Sequence, residues 1–232
     1  MSSHAIIIVA AGKGLRMGFS TPKTLLELEG VPLLVRTLRN LHVARIFQEG
    51  VVVVSEEMFD FIQGPFWKQW ELPKEWSVVV GGKERHDSVR CGLKHLSSDA
   101  SSIWIHDAAR PFVSKALLQR LKETIENGAH CIPMVPIRDT LKEVKGNDIV
   151  KTVDRGMFRL AQTPQVFHRV TLERAFESAG KKGWIHTDEA SLLEQFGEKL
   201  KVVEGDPLNI KITTPADMIF AEAILRSTER DL

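Results

Sequence analysis

Short, uninterrupted apolar runs recur along the first half of the chain. They are AIIIVA (5–10), GVVVVS (50–55), WSVVVG (76–81) and SIWIHD (102–107). Continuous rather than alternating apolarity is typical of strands that are buried on both faces of a parallel sheet. The pattern therefore predicts four buried strands in this half of the chain.

Segments with helical periodicity separate these runs, at residues 32–42, 84–96 and 114–127. The first begins with a proline, which the first turn of a helix tolerates. The third has Ser114 as its expected N-cap and Gly128 just beyond its end. Strands that alternate with helices predict an α/β fold with a doubly wound, mostly parallel sheet.

The pattern changes after the apolar run CIPMVPI (131–137). Residues 138–155 hold two alternating runs around KGND, which predicts a β-hairpin. Further helices are expected near 168–179, 187–196 and 215–228, and a strand at 199–205. Because no repeat or low-complexity linker interrupts the chain, we expect a single domain over residues 1–232.

Composition and charge narrow the function classes. The 232 residues include 31 Lys and Arg and 30 Asp and Glu, a net charge of +1. This balance gives no general attraction to nucleic acid or to an anionic membrane, so neither is an expected partner. No stretch approaches the ~18 apolar residues of a membrane span, and the N-terminal run is too short for a signal peptide. We expect a cytoplasmic or organelle-interior protein, with Cys91 and Cys131 as buried free thiols.

The stretch AAGKGLRMGFSTPK (10–23) directly follows the first predicted strand. It lacks the P-loop pattern GxxxxGK[ST], and Met17 stands where the dinucleotide pattern GxGxxG needs its third glycine. What remains is a loop at the carboxyl end of a strand, where open α/β sheets bind ligands. Its backbone N–H groups could approach phosphate oxygens at Ala10, Ala11, Gly12 and Gly14, with positive charge from Arg16 and Lys23. An ordinary surface loop with solvated cations is the alternative.

Motifs further along the chain bear on this choice. The glycine-rich turn, the arginine and the Pro22-Lys23 pair resemble the signature of the nucleotidyltransferase superfamily. There follow, in order, GGKERHDSV (81–89), IHDAARPF (105–112), IRDTLK (137–142), TVDR (152–155), QTPQVF (162–167), HTDEA (186–190) and NIKITTPAD (209–217). Together they resemble the 2-C-methyl-D-erythritol 4-phosphate cytidylyltransferase family over nearly the whole chain. The resemblance implies an enzyme that transfers CMP from CTP to methylerythritol phosphate, in non-mevalonate isoprenoid synthesis.

The resemblance also implies roles for individual residues. Arg16, Lys23 and Lys211 match the catalytic cations, although Lys211 could instead be a lysine at a strand edge. Asp107 matches an aspartate that contacts Mg²⁺, or could cap the next segment. The nucleotide site would comprise Ala10, Ala11, Gly12, Gly14, Gly81, Gly82, Ser88 and Asp107, with the base near the two later glycines and the serine. Arg85 and Asp87 are expected to support the helix start, and Arg110 could pair with a carboxylate.

The acceptor phosphate is expected at residues from two subunits. Thr140 and Arg155 match the family's grip on methylerythritol phosphate, and both lie at the ends of the predicted hairpin. In the family this hairpin, here at about 137–156, is an arm that embraces a second subunit, which implies a homodimer. A salt bridge from Arg155 to Asp139 or Asp154 is the alternative. Thr163 and Thr187 match as substrate hydroxyls or loop-positioning groups, and Thr187 is also a candidate helix N-cap.

The chain departs from the family pattern at two positions, and two rival functions are alternatives to the one implied. Val9 stands where the family often has proline, and Lys83 where relatives often have a carboxylate or another polar residue. A ribitol-5-phosphate cytidylyltransferase shares several of the motifs, whereas TVDR and TDEAS favour the methylerythritol branch. A catalytically silent module would be expected to lose one of the three cations. The metalloprotease motif HExxH and the hydrolase motif GxSxG are both missing from the sequence.

Overall fold

Eight strands of a single mixed sheet form the centre of the computed structural model, which describes residues 2–12, 22–97 and 99–229. These strands are β1 (His4–Val9), β4 (Glu49–Val54), β5 (Trp76–Val80), β6 (Ser102–Asp107), β7 (Cys131–Pro136), β10 (Arg159–Ala161), β11 (Gln165–His168) and β12 (Lys201–Glu204). Two short strands, β2 (Glu27–Leu28) and β3 (Val31–Pro32), and the strands β8 (Leu141–Lys145) and β9 (Asp148–Val153) pair outside it.

The first four strands of the sheet run parallel, with β1 between β4 and β6. Ile7 of β1 lies opposite Val51 of β4 on one side and Ile105 of β6 on the other. Beyond β6, β11 runs antiparallel to both β6 and β7, while β12 is parallel to β7. The four predicted strands are confirmed, and their carboxyl ends meet at one edge.

Helices cover both faces of the sheet. They are α1 (Leu33–Val43), α2 (Glu56–Phe61), α3 (Trp67–Gln69), α4 (Arg85–His95), α5 (Lys115–Glu126), α6 (Arg169–Lys182), α7 (Glu189–Phe196) and α8 (Pro215–Glu229). A π-helical turn, Ile62–Phe66, joins α2 to α3. Alternate residues of β1 pack on opposite faces, since Ile6 belongs to the core with α1 and α5 while Ile7 belongs to the core with α4, α6 and α7. The sheet is therefore doubly wound, as predicted.

The caps expected for α5 are present. Ser114 is its N-cap, and the Leu117 N–H donates to the Ser114 hydroxyl at 3.3 Å. Gly128 follows the helix with φ +87°, a conformation that favours glycine.

Cys131, at the start of β7, is fully buried, and burial raises the pKa of its thiol to about 12. Cys91 is half-buried. Neither cysteine forms a disulfide, so both are free thiols.

The predicted hairpin forms a separate two-stranded sheet. Its strands β8 and β9 pair in antiparallel register, with an irregularity at Glu143/Val144 and Gly146 at φ +61° in the turn. Val144, Ile149 and Val150 are more than half exposed. The hairpin therefore makes little contribution to the core, and its apolar side chains face outward.

The C-terminal helix α8 closes a third, smaller apolar cluster. Ala221 and Leu225 pack there with Leu28, Leu33 and Ile212. Within the described residues, none of the helices is long and apolar enough to span a membrane. Because Ile212 adjoins Lys211, this cluster fixes the segment that carries a predicted catalytic cation.

Candidate active site

A cavity of about 940 Å³ opens at the carboxyl ends of β1, β4, β5 and β6. Such an edge is where open α/β sheets bind ligands. The predicted site residues that line it are Ala10, Ala11, Gly12, Lys23, Gly81, Gly82, Ser88, Asp107 and Lys211. Segments that are far apart in sequence, residues 10–12 and Lys211, thus meet in one cavity, as a shared binding site requires. Gly14 and Arg16 lie outside the described residues.

Asp107 is the charge centre of the cavity. Its Oδ2 lies 2.8 Å from the Lys211 Nζ and 3.5 Å from the Arg110 Nε, and its Oδ1 lies 3.6 Å from the Arg85 Nε. Burial would raise the pKa of Asp107, but the charges of Lys211 and Arg85 outweigh it and hold the pKa far below its usual range. Asp107 is therefore an anion with surrounding cations at any physiological pH.

A hydrogen-bonded network fixes Asp107 from below. The Asp107 N–H donates to the Thr163 hydroxyl at 3.1 Å, and Thr163 Oγ1 lies 2.9 Å from Nδ1 of the buried His106. Since the Arg110 carbonyl, 3.1 Å from His106 Nε2, can only accept, Nε2 carries the ring proton and Nδ1 accepts from Thr163. Burial lowers the pKa of His106 to about 4, so this neutral tautomer persists near neutral pH. Thr163 thus lies beneath the cavity, which favours a loop-positioning role over substrate contact.

Lys211 is held in an irregular segment. No strand is assigned to residues 209–213, so its alternative reading as a strand-edge lysine is wrong. The Ile212 N–H donates to the Ala109 carbonyl at 2.9 Å, and the Thr213 N–H donates to the Asp217 carboxylate at 2.8 Å. These contacts, made by the two residues directly after Lys211, hold the segment at the cavity that Lys211 lines.

The Gly81-Gly82 turn packs closely against the start of α4. A Cβ placed on Gly81 would lie 2.6 Å from Ser88 Oγ, and one on Gly82 would lie 2.3 Å from the Asp87 Cβ. Glu84 is the N-cap and forms a capping box with Asp87, which confirms Asp87 as support for the helix start. Only glycine fits at both turn positions, and backbone atoms consequently form this wall of the cavity.

Arg85 has a larger role than the helix support predicted for it. Its Nη1 donates to both carboxylate oxygens of Glu189, at 2.8 and 2.7 Å, while its Nε faces Asp107. Glu189 is fully buried in the first turn of α7. Burial raises the pKa of Glu189, and the charge of Arg85 limits that rise. Arg110 is confirmed as a structural partner of a carboxylate, since its Nε lies 3.5 Å from Asp107 Oδ2. Its Nη1 also donates to the Asn209 carbonyl at 2.8 Å.

Like Thr163, the other three predicted substrate residues lie outside the cavity lining. Thr140 and Arg155 are exposed at the ends of the hairpin, and Arg155 donates to the Arg138 carbonyl. Among the described ion pairs, none joins Arg155 to Asp139 or Asp154, so that alternative is wrong. Thr187 is exposed and is not the N-cap of α7.

Asp188 caps α7 instead of Thr187. The Asp188 carboxylate accepts from the Ser191 N–H at 2.9 Å, and the two residues form a capping box. Ser191 is three residues beyond Asp188, which is the spacing that a capping box needs. Thr187 remains a candidate for substrate contact or for loop positioning.

The donor set fits a divalent cation that is held mainly by phosphates. Among the described residues, no three metal-ligating side chains form a cluster. The carboxylates that line the cavity are those of Glu56, Glu57, Glu84 and Asp107, and Asp107 is the one at the carboxyl end of β6. Mg²⁺ commonly takes one or two protein carboxylates together with phosphate oxygens and water. Asp107 is thus a suitable Mg²⁺ contact. The described side chains do not form a metal site in which the protein supplies all the ligands.

The fold and the cavity together define a class. A doubly wound sheet with a narrow glycine turn, and with cations around one carboxylate at its carboxyl edge, is an α/β nucleotide-binding architecture. A sequence model of the IspD family, 2-C-methyl-D-erythritol 4-phosphate cytidylyltransferase, matches residues 4–227. The chain belongs to this family.

Individual relatives agree with this assignment. The 2-C-methyl-D-erythritol 4-phosphate cytidylyltransferase of Syntrophus aciditrophicus (strain SB) is 40% identical over 224 residues, or 96% of each chain. That of Shouchella clausii (strain KSM-K16) is 39% identical over 99% of each chain. The crystal structure of the Thermus thermophilus cytidylyltransferase has a TM-score of 0.79 at 33% identity and covers 97% of this chain and 100% of its own. The 4-diphosphocytidyl-2C-methyl-D-erythritol synthase from Anaerococcus prevotii DSM 20548 has a TM-score of 0.83 at 30% identity, with coverage of 97% and 99%. The expected fold class is confirmed.

Proposed function

We propose that this chain is a cytidylyltransferase that transfers CMP from CTP to 2-C-methyl-D-erythritol 4-phosphate. The products would be 4-diphosphocytidyl-2-C-methyl-D-erythritol and pyrophosphate, in isoprenoid precursor synthesis. One observation carries the proposal. In a chain of this family, Gly12, the Gly81-Gly82 turn and the cations Lys23 and Lys211 line one cavity together with Asp107. We also propose that the whole chain forms a single domain and that the enzyme is located in the cytoplasm.

The reaction is a displacement at phosphorus. An oxygen of the acceptor phosphate attacks the α-phosphorus of CTP, and the bond to the bridging oxygen breaks as pyrophosphate leaves with that electron pair. The attacking group is already an anion at neutral pH, so no general base is needed. The protein must instead bring two polyanions together and stabilise charge on the crowded phosphorus, which is a task for positioned cations.

Lys211 and Lys23 supply that charge from the walls of the cavity. The Lys211 ammonium has three N–H donors, and its contact with Asp107 uses one of them. The others can bind the α-phosphate without loss of that ion pair. Lys23 follows Pro22 at the start of a 3-10 turn and lines the cavity with Lys211. Arg16 would act on the triphosphate from the glycine-rich loop.

Ser88 supports a preference for cytosine. Its hydroxyl lies 3.2 Å from the Glu84 carbonyl and 3.5 Å from the Gly82 carbonyl, and either one takes the hydroxyl proton. The oxygen is then left as an acceptor toward the cavity. Cytosine presents an amino donor where uracil presents a carbonyl acceptor, so an acceptor at this point favours CTP over UTP.

Mg²⁺ or another divalent cation would be held by Asp107 and the CTP phosphates. When bound, it would neutralise part of the phosphate charge and orient the triphosphate. Asp107 suits this contact because its carboxylate is ionised, and because its backbone N–H is anchored on Thr163.

The acceptor and the rival function can be tested together. Pyrophosphate release with CTP and Mg²⁺ is measured with methylerythritol 4-phosphate and with ribitol 5-phosphate as acceptors, and with UTP as a control. Turnover that strongly favours methylerythritol phosphate supports the proposal. A preference for ribitol phosphate would retain the CTP site but contradict the pathway, and no turnover with either acceptor would support the silent module.

We further propose a homodimer in which the hairpin arm completes the partner's site. Thr140 and Arg155 lie away from their own cavity but flank a hairpin with outward-facing apolar side chains. The apolar surface continues beyond the hairpin, where Met157 is 82% exposed and Leu160 is 55% exposed. A second copy would bury this surface and bring Arg155 to its cavity, where a guanidinium could bind two phosphate oxygens.

Complementation separates a shared site from a single-chain site. Lys211→Ala and Arg155→Ala proteins are each expected to be nearly inactive. In a mixed dimer, one site would combine an intact Lys211 with an intact Arg155 from the other subunit. Mixing after subunit exchange should then restore activity to about a quarter of the wild-type value. If both residues served the same subunit, every site would carry a defect and mixing would restore nothing.

A further inference from the structure

Glu189 is a fully buried carboxylate that does not line the cavity. A buried charge is costly unless it is paired and hydrogen-bonded. Within the described part of the chain, the cation that Glu189 binds is Arg85, whose Nη1 contacts both of its oxygens at 2.8 and 2.7 Å. Arg85 does line the cavity, so Glu189 is one step removed from the site.

The position of Glu189 is fixed by the strand next to Asp107. Gln165 of β11 donates to the Asp188 carboxylate at 2.7 Å and accepts from the Ala190 N–H at 3.2 Å. These two bonds hold the residues on either side of Glu189. Because β11 pairs directly with β6, the distance between Glu189 and Asp107 is set by the sheet itself.

Arg85 is shared unequally between two carboxylates. It contacts Glu189 at 2.7 Å but stays 3.6 Å from Asp107 Oδ1, longer than a good charge-assisted hydrogen bond. Asp107 Oδ2 is meanwhile in contact with Lys211 at 2.8 Å. Of the two Asp107 oxygens, Oδ1 is thus the one with the weaker protein contact, and its availability depends on where Arg85 is held.

We propose that Glu189 is a positioning residue that acts through Arg85 to keep Asp107 available for the divalent cation of the reaction. Without the charge of Glu189, Arg85 would move onto Asp107 Oδ1, and cations of the protein would then occupy both oxygens. Partners of metal ligands commonly change metal affinity by about 10–100-fold. This inference rests on the proposed function, since it assumes that a metal–CTP complex binds at Asp107.

The test compares CTP affinity with and without metal, in the full chain and with no acceptor present. Calorimetry gives the Kd for CTP with saturating Mn²⁺ and with EDTA, and the ratio of the two values isolates the contribution of the metal. In Glu189→Gln we expect this ratio to fall about tenfold, with a smaller change in the affinity for metal-free CTP. Glu189→Asp keeps the charge and should recover part of the ratio.

Glu173→Gln is the matched control. Glu173 accepts from Arg169 at 2.8 Å within α6, so the substitution is identical and also removes an Arg–Glu pair, but away from the cavity. The ratio should stay at the wild-type value in this variant. Melting temperatures of all variants record any loss of stability separately.

A double variant separates positioning from a structural role. In Arg85→Gln/Glu189→Gln the Arg85 guanidinium that could move onto Asp107 Oδ1 is gone, and replacing both members of the Arg85–Glu189 pair leaves no buried charge unpaired, so the metal contribution should return toward the wild-type ratio. An unchanged ratio in Glu189→Gln, or a double variant as poor as Glu189→Gln, overturns the inference while the proposed function stands. A wild-type protein whose CTP affinity is independent of Mn²⁺ overturns both.

Discussion

Gly81→Ala tests whether the wall of the cavity next to β5 depends on the absence of one methyl group. A Cβ at this position would lie 2.6 Å from Ser88 Oγ, 2.9 Å from Val53 Cγ1 and 3.1 Å from the Ala11 Cβ. Val53 and Ser88 are buried, and Ser88 is hydrogen-bonded to the Glu84 carbonyl, so none of these atoms can move away at low cost. The new methyl group must therefore be accommodated by strain.

The magnitude follows from two opposing effects. Overpacking costs about 1–3 kcal/mol, while replacing glycine by alanine stabilises by about 0.4–1 kcal/mol through the unfolded chain. We expect a net loss of about 1–2 kcal/mol in the free energy of unfolding. With an unfolding entropy near 0.5 kcal/mol/K for a chain of this length, the melting temperature should fall by about 2–4 °C. Displacement of Ser88 should raise the KM for CTP by about tenfold with little change in kcat, as expected for lost ground-state binding.

Gly64→Ala is the control for this prediction. Gly64 lies in the helical segment between α2 and α3, and a Cβ there would have no atom within 4 Å. The same substitution should stabilise the protein by about 0.5–1 kcal/mol, since glycine is a poor helix former. Calorimetric melting and pyrophosphate release at varied CTP measure both variants. If Gly81→Ala melted at or above the wild-type temperature with an unchanged KM, the steric reasoning would be refuted.

Three further predictions concern charge, pH and a helix cap. Lys211→Gln should lower kcat by about 10²–10³-fold, the scale of one preorganised electrostatic contact, whereas Lys211→Arg should keep part of the rate. If kcat of Lys211→Gln fell less than about threefold in a pyrophosphate-release assay, the catalytic role of Lys211 would be contradicted. The pKa of His106 is about 4 in the folded protein and near 6.5 in the unfolded chain. The contribution of neutral His106 to stability is therefore present above about pH 6.5 and is lost as the pH falls to about 4. Over this range the free energy of unfolding should fall by about 3 kcal/mol. Urea unfolding in EDTA across this range should show a shallower pH slope for His106→Gln, which retains a donor and an acceptor, and an equal slope would contradict the assignment. Ser114→Ala should lower the free energy of unfolding by about 1 kcal/mol without changing kcat, and a changed kcat at 25 °C would show that the cap affects the site.

The parallel half of the sheet was predictable because each strand is a continuous apolar run between helical patterns. The direction of β11 was not predictable, because apolar content shows that a strand is buried but not which way it runs. QTPQVF contributes only Gln165–His168 to the sheet, antiparallel to β6. The helical segment after β4 is not among the predicted helices, since a π-helical turn with Pro65 interrupts its periodicity.

Most nucleotide-site positions were predictable from ordered motifs, but the partners of those positions were not. Arg85 and Glu189 are 104 positions apart, and no local pattern connects them. A glutamate in the first turn of an amphipathic helix ordinarily indicates a favourable interaction with the helix dipole, at the surface. TDEAS offers two residues able to cap a helix, and only the spacing of Asp188 to Ser191 distinguishes the one that does so.

The tetrapeptide Gln162–Gln165 explains how a site built from irregular segments can be rigid. Gln162 is hydrogen-bonded to the Asp206 N–H and carbonyl, in the loop before Lys211. Thr163 holds the Asp107 N–H, and Gln165 holds the start of α7, which carries the partner of Arg85. Three neighbouring side chains thus anchor three segments of one cavity from beneath, without lining it. Because the three anchors share one stretch of backbone, displacement of that stretch should shift all three segments together, whereas a defect in any single segment should remain local.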